Sequence, residues 1–204
     1  MERVWNNNNS RKMRILFDRN FNTEENYNRS YEGANFQFDY CQPERASLLL
    51  SKLKKGDKFI DMACGLAPHC LMAFNITELV SASDFSKKLI ESRREAYPEI
   101  EFLYDDIRNT RFIKEEFDYI VLGETLEHLE CPDQVLEDVV KALKPGGILA
   151  VSVPDNDNGD FAKDYHIWTF KEDELKEMME KYGKVETQIL DECNHKFIIA
   201  FLTK

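Results

Sequence analysis

Four side chains in the second half of the chain carry the most reactive chemistry it offers. Glu124, Glu127 and His128 stand in the run Glu124-Thr-Leu-Glu-His128, a spacing that puts all three on one face if the segment is helical. Two carboxylates and an imidazole suit a divalent cation. His166, in Asp164-Tyr-His166-Ile-Trp168, would add a second nitrogen. His128 is equally suited to taking a proton, or to capping and orienting a neighbour, since imidazole changes charge near neutral pH.

A second group lies earlier in the chain. Lys58-Phe-Ile-Asp61 is a β-branched and aromatic run ending in an acid, and Met62-Ala63-Cys64-Gly65-Leu66-Ala67-Pro68 follows. Small residues make the turn, Gly65 lets a ligand approach the backbone, and Pro68 sits where a helix can begin without losing a hydrogen bond. Strand, tight turn and helix N-terminus together form a place for the polar end of a ligand. Asp84 ends the next apolar run, Leu79-Val-Ser-Ala-Ser83, nineteen residues after Gly65. An acid about 20 residues on from the turn accepts from ribose hydroxyls in nucleotide-binding βαβ units.

These residues need a scaffold, and the hydrophobic pattern supplies one. Strands are expected at 58–63, 79–83, 100–104, 117–122 and 147–153, alternating with helices at 68–75, 86–96, 132–144 and 170–181. The fourth and fifth strands are near-continuous apolar runs, as a parallel sheet covered on both faces requires. A helix from Glu44 to Leu53, ended by Lys54-Lys-Gly56, precedes them. Thr169-Phe-Lys-Glu172 has the form of a capping box for the last helix. Strands 184–191 and 196–203, joined by a polar turn around Asn194, predict a terminal antiparallel hairpin. One domain is expected over 43–204, preceded by a tail and aromatic strap over 1–42. In that strap Tyr27, Tyr31, Phe36, Phe38 and Tyr40 supply area to bury, while residues 1–10 are expected to be disordered.

Composition excludes several classes. The 204 residues are 43% hydrophobic and 32% charged, and no apolar run approaches the roughly 18 residues of a membrane span. The first residues lack the apolar core of a secretory leader. Five cysteines, at 41, 64, 70, 131 and 193, form no C-x-x-C pair. They read as thiols in a reducing, cytoplasmic setting. A net charge of −11 disfavours a polyanionic partner. The segment Pro154–His166 carries four aspartates against one lysine, an acidic rim that suits a neutral or cationic small molecule better than nucleic acid.

Asp61-Met-Ala-Cys-Gly65-Leu-Ala67 resembles the first motif of the class I S-adenosylmethionine-dependent methyltransferases, an acid followed by alternating glycines, with alanine here at the first and third glycine positions. Asp84 matches the acid that closes the second strand. Phe102-Leu-Tyr-Asp-Asp106-Ile107, Phe117-Asp-Tyr-Ile-Val-Leu-Gly123-Glu124 and Leu143-Lys-Pro-Gly146-Gly147 match further motifs, in order, between about Pro43 and the C-terminus. The resemblance implies an α/β fold: a Rossmann-like, doubly wound, seven-stranded and mostly parallel sheet with an antiparallel C-terminal hairpin. It implies S-adenosyl-L-methionine as cofactor, with Asp61, Ala63 and Gly65 at its methionyl end. Asp84 and Phe85 would lie at the ribose, Asp106 and Ile107 at the adenine, Gly123 and Glu124 along the same site, and Tyr31 as a lid contact.

The activity so implied is in-line transfer of a methyl group to a small or medium-sized acceptor, with His128 and His166 as catalytic residues and no metal. One alternative is a metal-assisted O-methyltransferase of the RNA 3′-terminal or quinone type, whose E-x-x-E-H pattern Glu124, Glu127 and His128 resemble, with His166 completing the set. Another is a catalytically silent scaffold on the same fold. A nicotinamide-dependent oxidoreductase is the third, and the acid preceding the turn speaks against it.

Overall fold

The computed structural model describes residues 23–32, 43–112, 114–155, 166–192 and 195–204. Seven strands lie in one sheet: β1 (Phe59–Met62), β2 (Val80–Asp84), β3 (Glu101–Tyr104), β4 (Phe117–Gly123), β5 (Leu143–Pro154), β6 (Lys184–Glu192) and β7 (His195–Thr203). Their order is β3-β2-β1-β4-β5-β7-β6. The first five run parallel, and β7 pairs antiparallel with both β5 and β6. The chain therefore leaves β1 towards β2 and β3, then returns to place β4 on the other side of β1. That reversal opens a crevice beyond the carboxyl ends of β1 and β4.

The strands are hydrophobic on both faces because both are covered. Ile60, Met62, Ile120 and Leu122 point into one core layer with residues of α5 (Pro132–Ala142) and α6 (Glu172–Glu180). Phe59, Tyr119 and Val121 alternate into the other, with residues of α2 (Pro43–Leu49), α3 (Pro68–Ala73) and α4 (Lys87–Ala96). The period of two is the pleat of the strands. Tyr119 also donates its hydroxyl to the Leu49 carbonyl at 2.6 Å, fixing α2 across β4.

Three expectations are corrected. The last helix begins at Glu172, two residues later than expected, and its capping glutamate is Glu174, which accepts the Lys171 N–H at 3.1 Å. Phe170 instead makes a β-bridge with Asp155, so Thr169 cannot cap. The helix after Pro43 stops at Leu49, short of Leu53. The third correction is α1 (Glu24–Glu32), a helix where no periodicity announced one. Thr23 accepts the Asn26 N–H at its hydroxyl, and Glu24 and Glu25 occupy the first turn, where negative charge favours a helix. Phe36, Phe38, Tyr40, residues 1–10 and the turn at Asn194 lie outside the described residues. No helix among the described residues is long and apolar enough to cross a membrane.

Candidate active site

The turn after β1 is built from left-handed backbone. Ala63, Gly65 and Ala67 have φ of 56°, 51° and 59°, so all three alternating positions demand the conformation that glycine adopts freely. Alanine adopts it at a cost of roughly 1 kcal/mol each, strain of the kind that collects at functional sites. The turn aims its amides at the end of β2. Cys64 donates its N–H to the Ser83 carbonyl at 2.9 Å. Gly65 donates to Asp84 Oδ2 at 3.0 Å, and Ser86 donates to Asp84 Oδ1 at 2.8 Å. Asp84 is 3% exposed. Burial pushes its carboxyl up to about 6, against the Ser86 and Gly65 amides that favour the charged form, and the Asp61 charge adds to the rise. Each oxygen keeps a lone pair beyond the one its amide uses.

Behind the turn, Asp61 is buried and its Oδ2 lies 3.2 Å from His69 Nδ1. Burial raises the Asp61 carboxyl, and the His69 ring opposes that rise. His69 comes from the first turn of α3 and packs against the end of β4. A Cβ on Gly123 would stand 2.8 Å from His69 Cε1, which explains glycine there.

Glu124 follows with φ of 49°, held by its N–H to the Ser152 carbonyl at 2.9 Å. Its Oε2 lies 3.4 Å from Arg45 Nη1. Arg45 is 5% exposed, stacks 4.0 Å above the Phe197 ring, and gives its backbone N–H to Glu192 Oε1 at 3.2 Å. Burial raises the Glu124 carboxyl; the Arg45 charge, the Ser152 hydroxyl and His69 pull it down, and Glu192 pushes it up. Glu124 Oε1 is shielded from solvent without a hydrogen-bond partner.

Glu127 and His128 sit on a 3-10 turn, Leu126–His128. The Glu127 carbonyl accepts the Ile167 and Trp168 amides at 2.7 and 3.0 Å, and the Trp168 indole donates to the Leu129 carbonyl at 2.7 Å. These bonds bring His166 to His128, ring centroids 4.8 Å apart and nearly perpendicular. Glu127 is 1% exposed, both its carboxylate oxygens lack a hydrogen-bond partner, and Oε1 lies 3.8 Å from His128 Nε2. Burial, then the Glu124 charge, raises the Glu127 carboxyl well above its usual range. Burial, then the His128 charge, pushes His166 down to about 3. Glu127, His128 and His166 offer ligand atoms within 4.8 Å of one another, and this group does not include Glu124. Of the four residues suited to a cation, three converge and the fourth turns to Arg45.

The other end of the crevice is covered. Tyr27 of α1 meets the Phe85 ring edge-on at 5.1 Å, Asn28 accepts the Ser86 hydroxyl at 2.5 Å, and Glu24 accepts the Lys87 N–H at 3.3 Å. Tyr31 lies one turn further along α1, and its side chain falls outside the described residues. Arg108 lies 5.3 Å above Phe85 on the ring's side and binds both oxygens of Asp106, at 2.8 and 2.6 Å. Burial would raise the Asp106 carboxyl, but the Arg108 hydrogen bonds and charge outweigh it and hold it low. Ile107 is buried behind it.

Sequence reasoning missed Arg45 and His69. Arg45 shares a helix face with Leu49, a position that predicts burial, and a buried arginine implies acids around it. His69, directly after Pro68, carried no comparable signal.

Known proteins share part of this sequence and this fold. Residues 60–151 match the family model described as "Methyltransferase domain". The demethylmenaquinone methyltransferase of Lysinibacillus sphaericus is 29% identical over 103 residues, 48% of this chain and 44% of that protein. The chain spans about half the length of the curated relatives it matches. Among solved structures, a protein of Pyrococcus horikoshii superposes with a TM-score of 0.65 at 21% identity, covering 86% of this chain and 99% of the other. The 1,6-didemethyltoxoflavin-N1-methyltransferase of Burkholderia thailandensis, solved with its acceptor and S-adenosylhomocysteine, gives 0.65 at 16% identity, covering 78% and 76%.

Proposed function

We propose that the chain, whose residues 60–151 match the "Methyltransferase domain" family model, binds S-adenosyl-L-methionine in the crevice between β1 and β4 and methylates a small molecule. The observation that carries this reading is the buried Asp84 carboxylate, held by the Gly65 and Ser86 amides at the lip of a turn with three left-handed residues. The residues fit the cofactor. Asp84 has lone pairs left for two ribose hydroxyls, Ala63 to Gly65 present bare backbone to the methionyl end, and Phe85 offers a flat apolar surface. Asp106 fits less well, since Arg108 already binds both its oxygens.

Bound there, the cofactor supplies a methyl group on a positively charged sulfur, already activated towards displacement. The protein's part is to align the acceptor with that methyl. His128 and His166, at the ends of β4 and β5, face the acceptor side, and His128 accepts the acceptor's proton where the acceptor has one to lose. Glu127, 3.8 Å from His128 Nε2, stabilises the imidazolium so formed. A small acceptor is supported by the −11 net charge and the aspartates of 155–164. Relatives named for demethylmenaquinone and a structural neighbour named for a toxoflavin precursor point the same way. Free thiols at Cys64 and Cys70 suit a reducing cytoplasm.

A second reading rests on the convergence of Glu127, His128 and His166. One carboxylate and two imidazoles suit a divalent transition ion, and Glu127, buried without a hydrogen-bond partner, is where such an ion would find charge. One assay of tritiated methyl transfer to a quinol and heterocycle panel separates the two. The metal-free reading expects turnover to survive chelators and His128→Ala to abolish it. Loss of turnover on chelation, restored by Mn²⁺ or Zn²⁺, establishes the second reading instead.

A further inference from the structure

The crevice holds more acid than base. Asp61, Glu124, Glu127 and Glu192 stand around it, three of them 5% exposed or less. Among the described residues Arg45 is the permanent cation placed beside Glu124 and Glu192, with His69 beside Asp61. Even with His69 and His128 protonated, four carboxyl groups face three cations. Four of their oxygens, Glu124 Oε1, both of Glu127 and Glu192 Oε2, are sealed from water without a hydrogen-bond partner. Burial pushes Asp61, Glu124 and Glu127 towards their neutral forms, and a cation among such costly, unsatisfied acceptors favours the ionised form and relieves them.

Resting on the cofactor reading above, we infer that this surplus of acid makes the crevice distinguish the two charge states of its cofactor, holding the methylated sulfonium more tightly than the spent thioether. When the carbon–sulfur bond breaks, its electron pair stays on sulfur. The positive charge leaves with the methyl group, and with the proton the acceptor gives up. The ammonium, carboxylate, ribose and adenine are unchanged, so any difference in affinity reports the sulfur's charge. Asp84 ties the ribose at the end of β2, and the turn 63–67 ties the methionyl group at the end of β1. A cofactor held in this way would have its sulfur between those two points, in the crevice between β1 and β4, with Glu124 directly after the end of β4. Transfer thus weakens the hold on the product and favours its release, the reverse of ordinary product inhibition.

Titration calorimetry in the presence of EDTA tests this with three ligands: S-adenosylmethionine, S-adenosylhomocysteine, and sinefungin, whose ammonium restores the missing charge. The two cationic ligands are expected to bind about tenfold or more tightly than the thioether, the scale of one charge interaction in a partly screened site. Glu124→Gln and, separately, Glu127→Gln should each narrow the ratio while S-adenosylhomocysteine binding holds, which also shows the variants are folded. Thioether binding that equals or exceeds both cations on the native protein overturns the inference, as does a ratio that persists in both variants. If none of the three binds, the cofactor reading itself falls, and this inference with it.

Discussion

The ends of β1 and β2 and the ends of β4 and β5 are built on opposite plans. At β1 and β2 the polar atoms are already matched: Asp84 takes the Gly65 and Ser86 amides, Asp61 takes His69, and α1 closes over Phe85. At β4 and β5 they are not: Glu124 Oε1 and both oxygens of Glu127 are buried without hydrogen-bond partners, and two imidazoles meet beside them. In the function proposed above, the first half is a cradle finished before its ligand arrives, stabilised by backbone geometry. The second is held by main-chain bonds from Ile167 and Trp168 and leaves its side chains for chemistry. A protein that treats every acceptor alike at the cofactor end and specialises at the other would be divided in this way.

The largest break in that comparison is Gly65→Val. A β-branched side chain at φ of 51° strains the turn and fills the space beside Asp84. Cofactor binding is expected to fall below detection, while circular dichroism still reports a folded protein; normal binding by that variant would remove the turn from the site.

A pH series sharpens the same end. Asp84 is raised to about 6 from 3.8, so the folded, cofactor-free protein binds a proton more readily than the unfolded chain. Its contribution to stability therefore improves as pH falls from about 6 towards 3.8, by up to about 3 kcal/mol. Denaturant titrations should show this rise, and Asp84→Ala should lack it. Cofactor affinity should move the opposite way and weaken below pH 6, because the ribose loses a charged acceptor.

Next in size is Gly123→Ala. The new Cβ would stand 2.8 Å from His69 Cε1, and displacing a buried ring is expected to lower stability by about 1–3 kcal/mol. A thermal melt unchanged from the native protein would mean that His69 is free to move. The smallest effect belongs to Ala63→Gly and Ala67→Gly. Each relieves left-handed strain but loosens the unfolded chain, for a net gain of roughly 0.5 kcal/mol. Affinity should stay within about twofold, since under 0.5 kcal/mol separates the variants.

Legibility in the sequence followed the same division. Asp84 was readable because its distance from Gly65 is fixed by one helix and one strand. β4 was readable because burial on both faces leaves an unbroken apolar run. Helix α1 was not, since Glu24-Glu-Asn-Tyr-Asn-Arg-Ser-Tyr-Glu32 has no apolar stripe. It is held by single contacts such as Tyr27 on Phe85 and Asn28 on Ser86, which exist only once α4 is in place. The Arg45–Glu124–Glu192 cluster joins residues 147 positions apart at its widest, and no local pattern marks such a pairing. The convergence of His166 with His128 was suggested by residue type alone; the two Glu127 carbonyl bonds that bring them together are backbone chemistry, which the sequence does not display.

The central claim is that the β1–β4 crevice is a cradle for S-adenosylmethionine with Asp84 at its centre. Thermal melts of the native protein and of Asp84→Ala, with S-adenosylmethionine or NAD⁺ added, test it most directly, since a ligand raises the melting temperature only by binding the native state. S-adenosylmethionine should stabilise the native protein and NAD⁺ should not, and calorimetry on Asp84→Ala should show affinity lower by about 1–3 kcal/mol. Stabilisation by NAD⁺ alone, or equal S-adenosylmethionine affinity in the two proteins, would contradict the account.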